Sequence, residues 1–166
     1  AVKGRDSELT YEALDRLSSR LAQGILERTG TSEGRVALLL NHGATVIAAI
    51  VGVLKTGKAY VPLDPSYPLE RLEYMLDVAE PEMILADREN EDLAERLGDR
   101  VKVLWTVDAR DAGPSAADPE LDVSPDALAF LLFTSGSTGK PKAFAHTHRN
   151  VLAETMNYTN GAHICE

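Results

Sequence analysis

The ten residues Phe133-Thr-Ser-Gly-Ser-Thr-Gly-Lys-Pro-Lys142 hold the chain's densest set of groups able to do chemistry. Thr134, Ser135, Ser137 and Thr138 bring hydroxyls, and Lys140 and Lys142 bring positive charge. Gly136 and Gly139 lack a Cβ, so the backbone there can bend tightly and come close to a ligand. Open N–H groups, small donors and two cations suit a polyphosphate better than a neutral ligand. Clusters of Gly, Ser and Thr are commonly plain surface turns. Here the apolar run that leads in, the length of the cluster and its Lys-Pro-Lys finish favour a phosphate loop. The pattern is not a Walker A loop. With Gly139-Lys140 in register, that motif needs Gly where Thr134 stands and Ser or Thr where Pro141 stands. Pro141 also has no N–H to donate and resists starting a helix whose end could hold phosphate.

Other candidates are weaker. His146, His148, His163 and Cys165 show no recognisable zinc spacing, and no metal site is expected from them. No Ser stands in a nucleophile-elbow context. Asp64, inside a proline-rich loop, predicts an Asx-type turn rather than a catalytic acid. The sequence assigns no catalytic residue.

Elements that would position the loop can be read from periodicity. Leu128-Ala-Phe-Leu-Leu-Phe133 is a wholly apolar run, expected as a buried strand with the phosphate loop at its carboxyl end. Earlier, Leu14, Leu17, Leu21 and Ile25 recur at helical spacing, with Asp15, Arg16, Ser18 and Arg20 expected outward and Gly30 as terminator. Arg35 to Leu40 predicts a central parallel strand, and Ala44 to Lys55 a nearly all-apolar helix closed by Gly57. Ala59-Tyr-Val61 is a brief strand. Pro62-Leu-Asp-Pro-Ser-Tyr-Pro68 then predicts a stiff extended loop, with Pro68 opening a helix that carries Leu69, Leu72, Met75 and Leu76. A strand at Met83 to Ala86, a short helix from Glu91 to Leu97 and a strand at Val101 to Trp105 follow. Residues 108–126 have no periodicity and are expected as a surface linker. After the loop, Ala143 to His146 is extended, and Thr147 caps a last helix from Arg149 to about Tyr158. Alternating strands and helices imply an α/β fold: a mostly parallel sheet flanked by helices on both faces. Ligands of such sheets sit beyond the carboxyl ends of the strands, where this loop falls.

Composition narrows the class. At 166 residues, 44% hydrophobic and 26% charged, the chain has the make-up of a soluble globular protein with one core. A formal charge of −9 argues against a nucleic-acid partner. The run from Ala44 to Leu54 is too short to span a bilayer, so no membrane role is expected. The N-terminus has no apolar signal core, and a single Cys165 fits a reducing cytoplasm.

With these motifs placed, the chain resembles the adenylate-forming enzyme superfamily, and within it the amino-acid-activating adenylation domains of nonribosomal peptide synthetases. Leu9-Thr-Tyr-Glu-Ala-Leu-Asp15 resembles the family's first motif, and Leu54 through Arg71, with its Asp64-Pro-Ser-Tyr-Pro68, resembles the second. Leu128 through Lys142 resembles the phosphate-loop signature, and His148-Arg-Asn follows as it often does there. The likeness runs along the whole chain. It implies a reaction of carboxylate with Mg-ATP to give acyl-AMP and pyrophosphate, then a thioester on a carrier protein bearing a phosphopantetheine arm. Thr134, Ser135, Gly136, Ser137, Thr138, Gly139 and Lys142 would hold the β- and γ-phosphates of ATP, with Mg2+ as counterion. The substrate would be an amino acid or related carboxylate.

Two departures from the family pattern stand out. Ala143 occupies a position usually held by Gly, which predicts extended backbone there. The chain also stops soon after the phosphate loop, without the later motifs that form the substrate pocket, hold the adenosine and carry the catalytic lysine. Residues 1–166 are therefore expected to be an incomplete N-terminal portion of an adenylation domain, inactive without the rest of that domain. The alternatives are a fragment of an acyl- or aryl-CoA ligase, or a non-catalytic module that binds an anion or a partner.

Overall fold

The structure is a computed structural model that describes residues 1–3, 8–99, 101–105, 117–134 and 141–161. A short antiparallel pair, β1 (Val2–Lys3) and β2 (Glu8–Leu9), precedes the first helix, α1 (Tyr11–Thr29). Thr10 caps that helix by accepting from the Ala13 N–H at 3.1 Å, and Gly30 ends it in the left-handed region at φ 68°. Then come β3 (Arg35–Leu39), α2 (Ala44–Lys55), β4 (Ala59–Leu63), α3 (Leu69–Ala79), β5 (Met83–Ala86), α4 (Glu91–Gly98) and β6 (Lys102–Trp105). The last elements are β7 (Leu128–Thr134), β8 (Lys142–Thr147) and α5 (His148–Gly161). The main sheet runs in the order β6-β5-β3-β4-β7-β8, parallel except for the antiparallel β7–β8 pair.

Both faces of the central strands are apolar because both are covered. Val36 and Leu38 of β3 pack with Leu21 and Ile25 of α1 and Ala48, Ala49 and Val53 of α2. Ala37 and Leu39 point the other way, against Leu72, Met75 and Leu76 of α3 and Leu97 of α4. A strand's period of two makes a continuous apolar run necessary when helices lie on both sides.

Two expectations are corrected by packing. Ser18 is fully buried rather than outward. It sits where α1 crosses α2 at Gly52, where an added methyl would lie 2.9 Å from Leu21 Cβ and 3.0 Å from the Ser18 carbonyl. The crossing admits only small residues, and the Ser18 hydroxyl is satisfied by donating to the Asp15 carbonyl at 2.9 Å. The strand expected to end at Val61 continues through Pro62 to Leu63, in register with Leu38 and Leu39 of β3. Pro62 has no N–H to donate, and the parallel pairing of β4 with β7 is confined to Tyr60 opposite Phe130.

The fold also buries a cation that no sequence pattern marks. Lys58 is fully buried, with its ammonium 2.8 Å from Glu82 and donating to the Ser32 carbonyl at 2.6 Å. Residues 117–124, which form neither helix nor strand, are held against the first two helices. Gln23 donates to the Ala117 carbonyl at 3.1 Å. Lys55 lies 2.6 Å from both Asp118 and Asp15, and Ser19 donates to Asp118 at 3.2 Å.

Candidate phosphate site

β7 delivers Thr134 to the carboxyl edge of the sheet, and the chain returns through β8, where Lys142 is the cross-strand partner of Thr134. The polar loop is thus the connection of an antiparallel hairpin, with exposed Thr134 and exposed Lys142 paired at its mouth. Ser135, Gly136, Ser137, Thr138, Gly139 and Lys140 lie outside the described residues. Ala143 pairs with Phe133, and Glu80 is the sole non-glycine residue at positive φ among the described residues, so Ala143 has the extended backbone its side chain predicts.

Neighbouring elements fix the hairpin's frame. Leu131 and Phe133 point to the α3 side and join the core there. The Tyr74 hydroxyl of α3 reaches the Pro141 carbonyl at 3.4 Å. At the far end, the Thr147 hydroxyl accepts from the Asn150 N–H at 3.3 Å, while Asn150 Oδ1 accepts from the Thr147 N–H at 3.1 Å. This reciprocal cap starts α5 at His148.

Of the basic residues near the loop, two are engaged elsewhere. Arg149 donates to both carboxylate oxygens of Asp126, at 2.7 and 3.1 Å, and that contact holds the Asp126 carboxyl below its ordinary range. His146 stacks on Phe130, with ring centroids 4.7 Å apart, and its Nδ1 is 3.7 Å from Glu154. Lys142 remains exposed at the hairpin mouth.

Two further features flank the site. A cavity of about 370 Å³ opens over the carboxyl ends of β3, β4 and β7, with Leu40, Val46, Ile50, Met75 and Leu132 among its apolar lining and Asn41, His42, Asp64 and Ser66 as polar groups. Asp64 makes the expected Asx-type turn, accepting from the Ser66 hydroxyl at 2.7 Å and the Ser66 N–H at 2.9 Å. Those two hydrogen bonds hold its carboxyl below the usual range. The crevice between β3 and β5, whose following helices go to opposite faces, is bridged instead. The Asn41 N–H donates to Asp87 at 2.9 Å, and the Asn41 amide donates to Glu89 at 2.6 Å. Open space for a ligand therefore lies on the β4–β7 side of β3. Among the described residues, no three His, Cys, Asp or Glu side chains gather as a metal site, and no helix is long and apolar enough to cross a membrane.

The fold is an α/β sheet, parallel but for its last strand, with a hydroxyl- and lysine-bearing hairpin at its carboxyl edge, and comparison with known proteins gives its class. Residues 1–165 match the family of AMP-binding enzymes, and the chain belongs to that family. Among curated relatives, it is 41% identical over 163 residues to the phosphinothricin tripeptide synthetase PhsC of Streptomyces viridochromogenes, covering 95% of this chain and 15% of that protein. It is 39% identical over 162 residues to the nonribosomal peptide synthetase otaB of Aspergillus niger, covering 98% of this chain and 8% of that protein. ATP-bound MatB from Rhodopseudomonas palustris superposes with a TM-score of 0.78 at 27% identity, over 93% of this chain and 32% of MatB. The o-succinylbenzoate CoA synthetase MenE of Bacillus subtilis shares the fold, with a TM-score of 0.83 at 22% identity over 95% of this chain and 41% of MenE. The chain thus spans a small part of its curated relatives and under half of these structural neighbours.

Proposed function

We propose that this chain is the N-terminal, phosphate-binding portion of an amino-acid-activating adenylation domain of nonribosomal peptide biosynthesis, working in the cytoplasm. The observation that carries the reading is the pairing of Thr134 with Lys142 at the mouth of the hairpin, in a chain that matches the AMP-binding family almost end to end. Exposed hydroxyl and ammonium groups at one mouth fit a polyphosphate. Thr134, Ser135, Gly136, Ser137, Thr138, Gly139 and Lys142 would hold the β- and γ-phosphates of ATP. Their task is to orient the triphosphate and to stabilise charge on the departing pyrophosphate. Mg2+ would come with the nucleotide and neutralise part of that charge.

In the complete domain, the substrate carboxylate attacks the α-phosphorus of ATP, giving acyl-AMP and pyrophosphate, and the acyl group then passes to the thiol of a carrier protein's phosphopantetheine arm. Residues 1–166 alone are expected to make no acyl-adenylate, because the hairpin contacts only phosphates. The carboxylate must also be held in line, and the charge developing at the α-phosphorus must be stabilised. Exchange of labelled pyrophosphate into ATP tests both statements. The full-length protein should exchange with a particular amino or aryl acid, and the isolated 166-residue chain with none. A CoA ligase is the second reading, since the o-succinylbenzoate CoA synthetase MenE shares the fold. Acyl transfer to free CoA, rather than to a carrier protein, would select it.

A further inference from the structure

We infer that Tyr74 of α3 is a positioning residue for the phosphate hairpin, an inference that rests on the reading that the hairpin holds ATP phosphates. Tyr74 is half-buried, and its hydroxyl donates to the Pro141 carbonyl at 3.4 Å. That carbonyl belongs to the same planar peptide unit as the N–H of Lys142. The proline ring already restricts φ at Pro141, so holding its carbonyl fixes the direction in which Lys142 starts β8. Lys142 is also pinned from its other side, as the cross-strand partner of Thr134. The lysine proposed to meet phosphate is therefore located by two independent elements, β7 and α3.

α3 is a firm support. Leu72, Met75, Leu76 and Ala79 are buried in the core, so the turn that bears Tyr74 cannot shift without disturbing that core. One turn earlier, the Arg71 guanidinium lies over the Tyr67 ring, 3.9 Å from its centroid. The same helix thus holds both the proline-rich loop, through Tyr67, and the hairpin, through Pro141. A 3.4 Å contact is long for a hydroxyl donor, which places the expected effect at several-fold rather than orders of magnitude.

Tyr74→Phe removes the hydroxyl and keeps the ring, so the fold is retained. In the full-length protein, two readouts apply. Hydrogen–deuterium exchange without nucleotide should show faster exchange in the peptide spanning residues 141–147 and unchanged exchange in β3 and β5. Pyrophosphate-exchange kinetics should show KM for ATP raised about 2- to 10-fold, the range for loss of one neutral hydrogen bond, with kcat and the KM for the carboxylate nearly unchanged. Unchanged hairpin exchange would overturn the clamp. Faster hairpin exchange with an unaltered KM for ATP would overturn its role in phosphate binding. A full-length protein that exchanges no pyrophosphate before any substitution refutes the phosphate reading itself, and the inference falls with it.

Discussion

The central strands and the β7–β8 hairpin belong to one sheet and differ sharply in what surrounds them. Val36, Ala37, Leu38 and Leu39 of β3 are buried, with helices on both sides. β8 is an edge strand, Phe144 is 50% exposed, and no residue of α5 is buried. Leu152 and Met156 of that helix are each more than 60% exposed. The first region is stabilised by burial. In the second, β7 is anchored by Ala129 and Leu131, while β8 and α5 hold their shape by strand pairing, the Thr147–Asn150 cap, the Arg149–Asp126 contact and the Tyr74 tether. The difference separates a region held by its core from an exposed region held by pairing and polar contacts.

Removing apolar volume should break that comparison most visibly. Leu39→Ala, in a site with no exposure, is expected to cost about 2–5 kcal/mol in denaturant unfolding. Phe144→Ala, at a half-exposed site, should cost about 1 kcal/mol or less. Equal losses would show that the hairpin is as much a part of the core as β3.

A smaller effect is expected where residues 117–124 meet the helices. Hydrogen bonding from Lys55 holds the Asp118 carboxyl below its ordinary range. A depressed folded value means stability that is present above the unfolded carboxylate range and lost as pH falls through the folded value. Burial lowers the Lys55 value, but hydrogen bonds to Asp118 and Asp15 outweigh it and leave the ammonium above its ordinary value. That contribution is complete below the unfolded lysine range and is lost as pH rises through the folded value. Asp118 is largely exposed, so Asp118→Asn should cost only about 0.2–1 kcal/mol at neutral pH. It should also reduce the acid-side loss of stability, as read from unfolding midpoints between neutral and strongly acid pH. An unchanged acid limb would remove this contact from the stability of the fold.

Ala143→Gly should have the smallest effect. With extended backbone already present, glycine at this position offers no relief of strain. It should destabilise by about 0.5–1 kcal/mol, through the greater freedom of glycine in the unfolded chain. A gain in stability on thermal unfolding would contradict extended geometry at that position.

Much of this division was legible in the sequence, for identifiable reasons. Continuous apolar runs marked the strands, and spacing of three and four marked α1 and α3, because both signals follow from one dominant force, burial. Residues whose roles come from partners distant in sequence were not legible. Ser18 reads as a surface residue until Gly52 is seen across from it, and Lys58 reads as solvated until Glu82 arrives from the turn before β5. Periodicity likewise gave no sign that β8 runs antiparallel, since an extended stretch after a loop is compatible with either direction. Tyr74 gave no signal because its partner is a backbone carbonyl on a distant strand. At the site, residue types and spacing pointed to phosphate, while only the pairing of Thr134 with Lys142 shows how two of those residues come together.

The central claim is that Lys142 meets ATP phosphate, and Lys142→Ala in the full-length protein tests it most directly. Losing one charge-assisted contact is worth about 1.5–3 kcal/mol, or roughly a 10- to 150-fold fall in kcat/KM for ATP in pyrophosphate exchange. The unfolding midpoint should not move, because Lys142 is exposed. A variant whose kcat/KM for ATP stays within about twofold of the unaltered protein would contradict the account.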